Sequence, residues 1–229
     1  MNDPRLLGEQ LEYYRARAGE YDEWFLREGR YDRGLDHRQA WFGEVALVET
    51  ALRNELPRGE VLELACGTGL WTRHLADRHS RVVAIDGSPE VIAINRQRVH
   101  SNRVEYVVAD VFTWQPAALF DAVVFGFWLS HVPSDQFETF WTNVRASLKD
   151  GGRVFFVDSL LEQSSTARDH EALNRSGFAT RRLNDGREFR IVKIFYEPAD
   201  LERRLAGLGW RGWVRSSGSF FVYGSLVAN

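Results

Sequence analysis

Only one cysteine, one methionine and six prolines occur among the 229 residues, and the formal net charge is −3. A lone thiol, Cys66, closes no internal disulfide, which suits a reducing compartment. Its place in a tight turn reads as small-residue packing rather than as a nucleophile. The first residues, MNDPRLLGEQLEYYRAR, lack the apolar core of a signal peptide. The longest apolar stretch, Ala122–Leu129, is far too short to cross a bilayer. A soluble cytoplasmic protein with no membrane partner is therefore expected. A slightly acidic balance gives no sign of a nucleic-acid partner. His37, His74, His79, His100 and His170 show no metal-ligand spacing, so no metal site is expected. There is also no internal repeat or low-complexity tract.

What is present fits one α/β domain with additions. Hydrophobic residues make up 44% and charged residues 27%, enough for a large core under a solvated surface. Leu7, Leu11, Tyr14, Ala18, Tyr21 and Phe25 recur at helical spacing, with a bend expected at Gly19. Asp36 with Gln39 resembles a capping box. The helix after it carries Trp41, Val45, Val48, Leu52 and Leu56 on one stripe and stops at Pro57 and Gly59. From residue 60 strands and helices alternate. Strands are expected at 61–65, 81–85, 104–108, 120–127 and 153–158, with Asp150-Gly151-Gly152 turning into the last. Helices are expected at 70–78, from Ser88-Pro89 to about His100, and along Phe137, Phe140, Trp141, Val144 and Leu148. Strands joined by helices imply right-handed crossovers and a parallel sheet. The tail reads as a hairpin around Asn184-Asp185-Gly186, a short helix from Pro198, and an antiparallel pair at 210–215 and 220–226.

The segment VLELACGTGLWT, Val61–Thr72, concentrates the chemistry. A buried strand enters a turn containing Gly67 and Gly69, and a helix follows. Glycines let backbone approach a ligand there. Twenty residues on, the next strand ends in Asp86, a carboxylate placed to accept both hydroxyls of a ribose. A dinucleotide turn would read G-x-G-x-x-G, but Thr72 stands where the third glycine belongs. Glu63, just before the turn, would repel a pyrophosphate and favour an ammonium. These charges fit S-adenosylmethionine better than a nicotinamide cofactor.

Glu63–Gly69 (ELACGTG), Asp86, Ala109-Asp110, Phe120–Phe125 (FDAVVF) and Leu148–Gly152 (LKDGG) stand in the order found in class I S-adenosylmethionine-dependent methyltransferases, and the chain resembles that family from about residue 55 to 227. Tyr13–Asp22 and Phe127–Pro133 are similar to its small-molecule members with an N-terminal lid. The resemblance implies a doubly wound, mostly parallel seven-stranded sheet with an antiparallel last strand, a helical lid over residues 1–56, and a cofactor-binding domain over residues 57–229 that includes the added hairpin. It also implies site roles. Glu63, Ala65, Gly67 and Gly69 would surround the methionine end of S-adenosylmethionine. Asp86 with Gly87 would hold the ribose, Asp110 and Val111 the adenine, and the backbone at Phe125 and Gly126 the ammonium. Tyr14 or Tyr21 would close over the cofactor from the lid, whereas periodicity alone makes both core-face residues and Arg17 a solvated one.

His131, just after the fourth strand, is the candidate base, since an imidazole titrates near neutrality. It reads equally as a residue that hydrogen-bonds backbone. Arg187, Phe189 and Arg190 are candidates for the rim of the acceptor pocket. Nucleic-acid amino-methylating members of the fold carry D/N-P-P-Y/F after strand four. Here that place reads Gly126-Phe127-Trp128-Leu129. The expected activity is methyl transfer to oxygen or nitrogen of a small organic acceptor. A Rossmann-type dehydrogenase and a non-catalytic S-adenosylmethionine-binding regulator are the alternatives.

Overall fold

A computed structural model describes residues 4–228. Helix α1 (Pro4–Arg17) runs into a 3₁₀ turn at Ala18–Glu20, and α2 (Tyr21–Leu26) continues beyond it. The break falls at Gly19, where a helix is weakest. Helix α3 (Leu35–Glu55) follows. The α/β region then runs β1 (Glu60–Leu64), α4 (Thr72–Ala76), β2 (Arg81–Asp86), α5 (Pro89–Val99), β3 (Val104–Val108), β4 (Phe120–Gly126), α6 (Phe137–Ala146) and β5 (Leu148–Ser159). A hairpin, β6 (Gly177–Arg182) and β7 (Glu188–Lys193), precedes α7 (Pro198–Gly207), β8 (Trp210–Ser216) and β9 (Phe221–Ala228).

The sheet has seven strands in the order β3-β2-β1-β4-β5-β9-β8, with β6 and β7 paired apart from it. β9 runs antiparallel to both its neighbours, and the other pairs are parallel. Both faces are covered, which is why β1, β2 and β4 are nearly continuous apolar runs. On one face Leu62, Val123, Phe125 and Phe156 pack with Phe137, Phe140 and Trp141 of α6 and Leu201 and Leu205 of α7. On the other, Val61, Ala84, Val124 and Phe155 pack with Trp41, Val45, Val48 and Leu52 of α3. Strand order reverses between β1 and β4, so a crevice opens at their carboxyl ends.

Three local expectations are corrected. Asp36 makes no capping box, because α3 starts at Leu35 with Gly34 as its N-cap and no side-chain cap. Asp32 instead accepts from the Gly34 N–H at 2.9 Å. Strand β5 begins at Leu148 rather than Arg153, and Gly151, at φ +73°, lets the chain bend within it. In α1 the fully buried ring is Tyr13 rather than Tyr14. Leu7, Leu11, Tyr14 and Tyr21 form a face as expected, but that face borders a cavity instead of core.

Trp41 ties these layers together. Its indole N–H donates to the Phe25 carbonyl at 3.0 Å, and its ring meets Trp24, Phe220 and Phe221 with centroids 5.4, 5.1 and 4.7 Å away. It is wholly buried. Trp41→Ala is expected to lower unfolding free energy by about 3–5 kcal/mol in a urea titration, the usual loss for a large core aromatic. A loss below about 1 kcal/mol would show that the helical region does not depend on this contact.

Candidate active site

The glycine turn after β1 is fixed before any ligand arrives. Asp86, at the end of β2, accepts from the Gly67 N–H and the Ser88 N–H, both at 2.9 Å. Asn95 of α5 donates to the Gly67 carbonyl at 3.1 Å and the Thr72 hydroxyl at 2.8 Å. From the N-terminal helices, Asp22 accepts from the Thr68 hydroxyl at 2.6 Å and pairs with Arg98, which itself donates to the Thr68 carbonyl at 2.7 Å. Two carboxylates, an amide and a guanidinium thus hold the turn. Gly69 has φ +90°, and a Cβ there would lie 2.5 Å from Asn95 Oδ1, so its glycine serves the packing of turn on helix.

A cavity of 460 Å³ lies at the carboxyl ends of β1, β2 and β4, within the range of small-molecule sites. Its wall brings together Tyr14, Tyr21, Ala65, Gly67, Asp86, Gly87, Asp110, Val111 and Gly126, all expected at the cofactor site. Glu63, Gly69 and Phe125 lie behind that wall. Phe125 is buried against Phe156, Phe140 and Trp141. The residues fit S-adenosylmethionine. Asp86 offers a carboxylate, and α1 supplies apolar cover through Leu7 and Leu11. Among the described residues, Glu63 Oε2 is buried without a hydrogen-bond partner. Burial pushes the Glu63 carboxyl up to about 8, against the hydrogen bond from Thr72. Burial likewise raises Asp86. Asp110 also shapes its own turn, accepting from the Phe112 N–H at 2.9 Å.

A second cavity, of 60 Å³, adjoins the first, with Tyr14, Tyr21 and Phe127 in both walls. One water occupies roughly 10–15 Å³ by this measure, so the space suits a small ligand group. Its character comes from cations. Arg17 of α1, Arg181 of β6 and Lys193 of β7 are all buried and line it. Among the described residues no carboxylate pairs with Arg17 or Arg181. Arg17 lies over the Tyr21 and Tyr13 rings, 4.9 and 5.5 Å from their centroids, and donates to the Tyr31 hydroxyl at 3.4 Å. Lys193 Nζ sits 3.6 Å from Asp158 and donates to the Ser130 hydroxyl at 2.8 Å. Burial, opposed by Asp158, lowers Lys193 to about 8. Burial and then Arg181 lower His170 to about 4.

His131 lies in the same wall. Its Nδ1 faces the Val192 carbonyl at 2.7 Å and must carry the proton there; Nε2 then accepts from the Tyr14 hydroxyl at 2.7 Å. Burial, then the Lys193 charge, hold His131 well below the usual imidazole range, so it is neutral. The segment 163–166 closes the far side. Arg27, fully buried over the Trp41 ring, donates to the Ser164 and Ser165 carbonyls at 2.8 and 2.9 Å.

Several of these residues escaped the sequence reading. Arg17 is buried, not solvated, because the stripe beside it faces ligand space. On the hairpin the lining groups are Arg181, Ile191 and Lys193; Arg187 and Arg190 do not line the cavity. Phe189 packs on Tyr13, centroids 5.7 Å apart. Phe189, Ile191 and Lys193 share one strand face, so a strict period of two would have separated Lys193 from Arg190. Asp22 and Asn95 carried no local signal.

Glu63 yields a pH prediction. Its folded-state pKa lies above the ordinary carboxylate range, so its contribution to stability is full below that range and is lost as pH rises through about 8. Glu63→Gln cannot ionise. The melting temperature of the ligand-free variant is expected to gain on wild type steadily from pH 5 to pH 8.5. Parallel melting curves across that range would show that Glu63 is not held protonated.

Residues 61–152 match the family described as a methyltransferase domain. DhpI, solved as a complex with SAH, is 40% identical with a TM-score of 0.82, covering 100% of this chain and 99% of that one. DhpI in a complex with SAM and HEP is 41% identical with a TM-score of 0.81, covering 99% and 100%. Ubiquinone biosynthesis O-methyltransferase of Xanthomonas euvesicatoria pv. vesicatoria is 31% identical over 175 residues, 72% of this chain and 68% of its own. Trans-aconitate 2-methyltransferase of Streptomyces avermitilis is 32% identical over 137 residues, 56% of this chain and 48% of its own, so the chain spans about half of that relative. The family and the two curated relatives are methyltransferases, and DhpI was solved with SAM and with SAH, which sets the dehydrogenase and non-catalytic alternatives aside. With motifs, fold and relatives in agreement, the chain belongs to the class I S-adenosylmethionine-dependent methyltransferases, and S-adenosylmethionine is its cofactor.

Proposed function

We propose that this protein methylates an ionised oxygen of a small acidic acceptor, bound in the 60 Å³ cavity beside the cofactor site. The observation that carries the reading is the charge of that cavity: Arg17, Arg181 and Lys193 are buried there against one carboxylate, Asp158. Buried charge without a partner is strongly unfavourable, and an oxyanion ligand relieves it. Guanidinium groups match the paired oxygens of a carboxylate, phosphate or phosphonate group. The relative named for trans-aconitate points to the same acceptor chemistry, and the one named an O-methyltransferase to the same atom.

S-adenosylmethionine, when bound, supplies a methyl group already activated by its sulfonium. The work left to the chain is binding, alignment and exclusion of water. In this reading Asp86 holds the ribose hydroxyls, Asp110 and Val111 the adenine, and Ala65, Gly67 and Gly126 the methionine end, while Glu63 supports the turn from behind. Gly69, Gly87 and Phe125 keep the strand ends in place for them. Tyr14, Tyr21 and Phe127, shared by both walls, form the dry junction where the methyl crosses. Arg17, Arg181 and Lys193 hold the acceptor with one oxygen toward that junction.

An oxygen that arrives ionised has its lone pair free and needs no base. His131 then holds the Tyr14 hydroxyl, its 2.7 Å partner, at the junction. For an acceptor oxygen that arrives protonated, the proton's route is through Tyr14 to His131 Nε2.

A panel of small acceptors assayed with S-adenosylmethionine tests the reading. Carboxylates, phosphates and phosphonates are expected to yield methyl esters, whereas amines and neutral alcohols of like size are not. Arg181→Met is expected to lower kcat/KM for the best acid by about 10–200-fold, from loss of a charged hydrogen bond worth about 1.5–3 kcal/mol. Turnover confined to amines or neutral alcohols would overturn the proposal.

A further inference from the structure

The 60 Å³ cavity of cations has a neighbour besides the cofactor cavity. A small pocket of 10 Å³ adjoins it beside strand β6, and Leu173, Arg181 and Phe195 stand in both walls. The cofactor cavity shares Tyr14, Tyr21 and Phe127 with the cation cavity instead, and no described residue lines both the cofactor cavity and the outer pocket. The cation cavity therefore lies between them. Glu171, Asn174 and Phe178 in the wall of the outer pocket are exposed, so that side leads to the surface.

The three shared residues differ in kind. Arg181 and Phe195 are buried, and Lys193 Nζ lies 5.3 Å from the centre of the Phe195 ring. Leu173 is half-buried and is the one large apolar residue in the polar stretch Arg168–Gly177. That stretch has no helix or strand of its own before Gly177, yet it is tied on both sides of the leucine. The Leu173 N–H donates to Gln163 Oε1 at 2.8 Å. Arg30 donates to His170 Nε2 at 2.7 Å, and His170 Nδ1 donates to the Thr166 hydroxyl at 3.0 Å. Arg175 pairs with Glu197 at 2.5 Å. An isobutyl group is thus held in place between a buried cluster of cations and the surface.

Volume gives this position its consequence. With one water taking roughly 10–15 Å³ by this measure, 60 Å³ holds about four to six groups of that size. An oxyanion head with one or two carbons behind it fills such a space. We propose that Leu173 sets the length limit of the acceptor: it closes the cation cavity on the side away from the cofactor, so that short acids fit and longer chains are refused. Trimming Leu173 joins the cation cavity to the outer pocket, and a longer chain then passes Phe195 toward the exposed ring of Phe178. The proposal rests on the acceptor's place in the cation cavity, and on its acidic head only for the choice of probe.

Wild type, Leu173→Ala and Leu173→Phe are assayed with S-adenosylmethionine and the n-alkylphosphonates from methyl to hexyl. Wild-type kcat/KM is expected to fall by about tenfold or more between the ethyl and butyl compounds, the usual discrimination where a chain meets a fixed wall. In Leu173→Ala the ratio of hexyl to ethyl turnover is expected to rise over wild type by about tenfold or more, and in Leu173→Phe the fall is expected to move to between methyl and ethyl. Ratios within one enzyme cancel a general loss of activity, and either variant suffices should the other not fold. Equal wild-type turnover of ethyl and hexyl compounds, or a length profile that neither variant moves, would overturn the proposal. Failure of wild type to turn over any alkylphosphonate or other acid would instead count against the acidic-acceptor reading. The n-alkyl series on whichever head group the acceptor panel selects would then judge Leu173 by the same ratios.

Discussion

Lys193 and Asp158 lie 3.6 Å apart with 10% and 1% of their side chains exposed, and Arg17 and Arg181 line the same small space without a carboxylate of their own. Removing such charges from water is unfavourable by several kcal/mol per ion. The surrounding fold is arranged to tolerate this excess of positive charge. Tyr13 and Tyr21 offer ring faces to Arg17, Asp158 is held by the N–H groups of Ser130 and Ser159, and His131 and His170 stay neutral. Arg27 donates to the carbonyls of Ser164 and Ser165. A protein that keeps charge in this condition leaves the final neutralisation to a ligand.

The helical N-terminus and the hairpin supply these cations beside the sheet. The carboxyl ends of β1 and β4 open the crevice, and both leave their strands through left-handed residues, Ala65 at φ +51° and Phe127 at φ +58°. Such conformations in non-glycine residues are held by the structure around them and concentrate at functional sites. Phe127 is positioned by that bend between the two cavities. The cations come from outside the sheet, from α1, β6 and β7. In the proposed reading, acceptor binding is carried by the additions to the fold, and cofactor binding chiefly by the strand ends of its core.

That division also decides what was legible in the sequence. The cofactor wall follows from local spacing: strand, glycine turn, helix, then an acid-ended strand. Nine of the expected positions meet in one cavity for that reason. Three do not. Gly69 answers to Asn95, Phe125 to the aromatic core, and Glu63 stands behind the turn. The second cavity has no local signature, because Arg17 is far in the chain from the hairpin that carries Arg181 and Lys193, Arg17 and Arg181 sit in polar segments that read as solvated, and Lys193 interrupts the apolar run Ile191–Phe195. The hairpin pairs the strands of Arg181 and Lys193, and the docking of α1 on the edge of β7 adds Arg17. The periodic stripe of α1 was legible as a face, but periodicity cannot distinguish a face that meets core from one that meets a ligand.

Crystals of the protein with S-adenosylhomocysteine and selenate test the central claim most directly, since selenium locates a tetrahedral oxyanion by its anomalous scattering. The account predicts a single strong anomalous site within hydrogen-bond distance of Arg17, Arg181 and Lys193, next to the sulfur of S-adenosylhomocysteine. Full S-adenosylhomocysteine occupancy with selenate only at the protein surface, and the cation cavity filled by water, would contradict it.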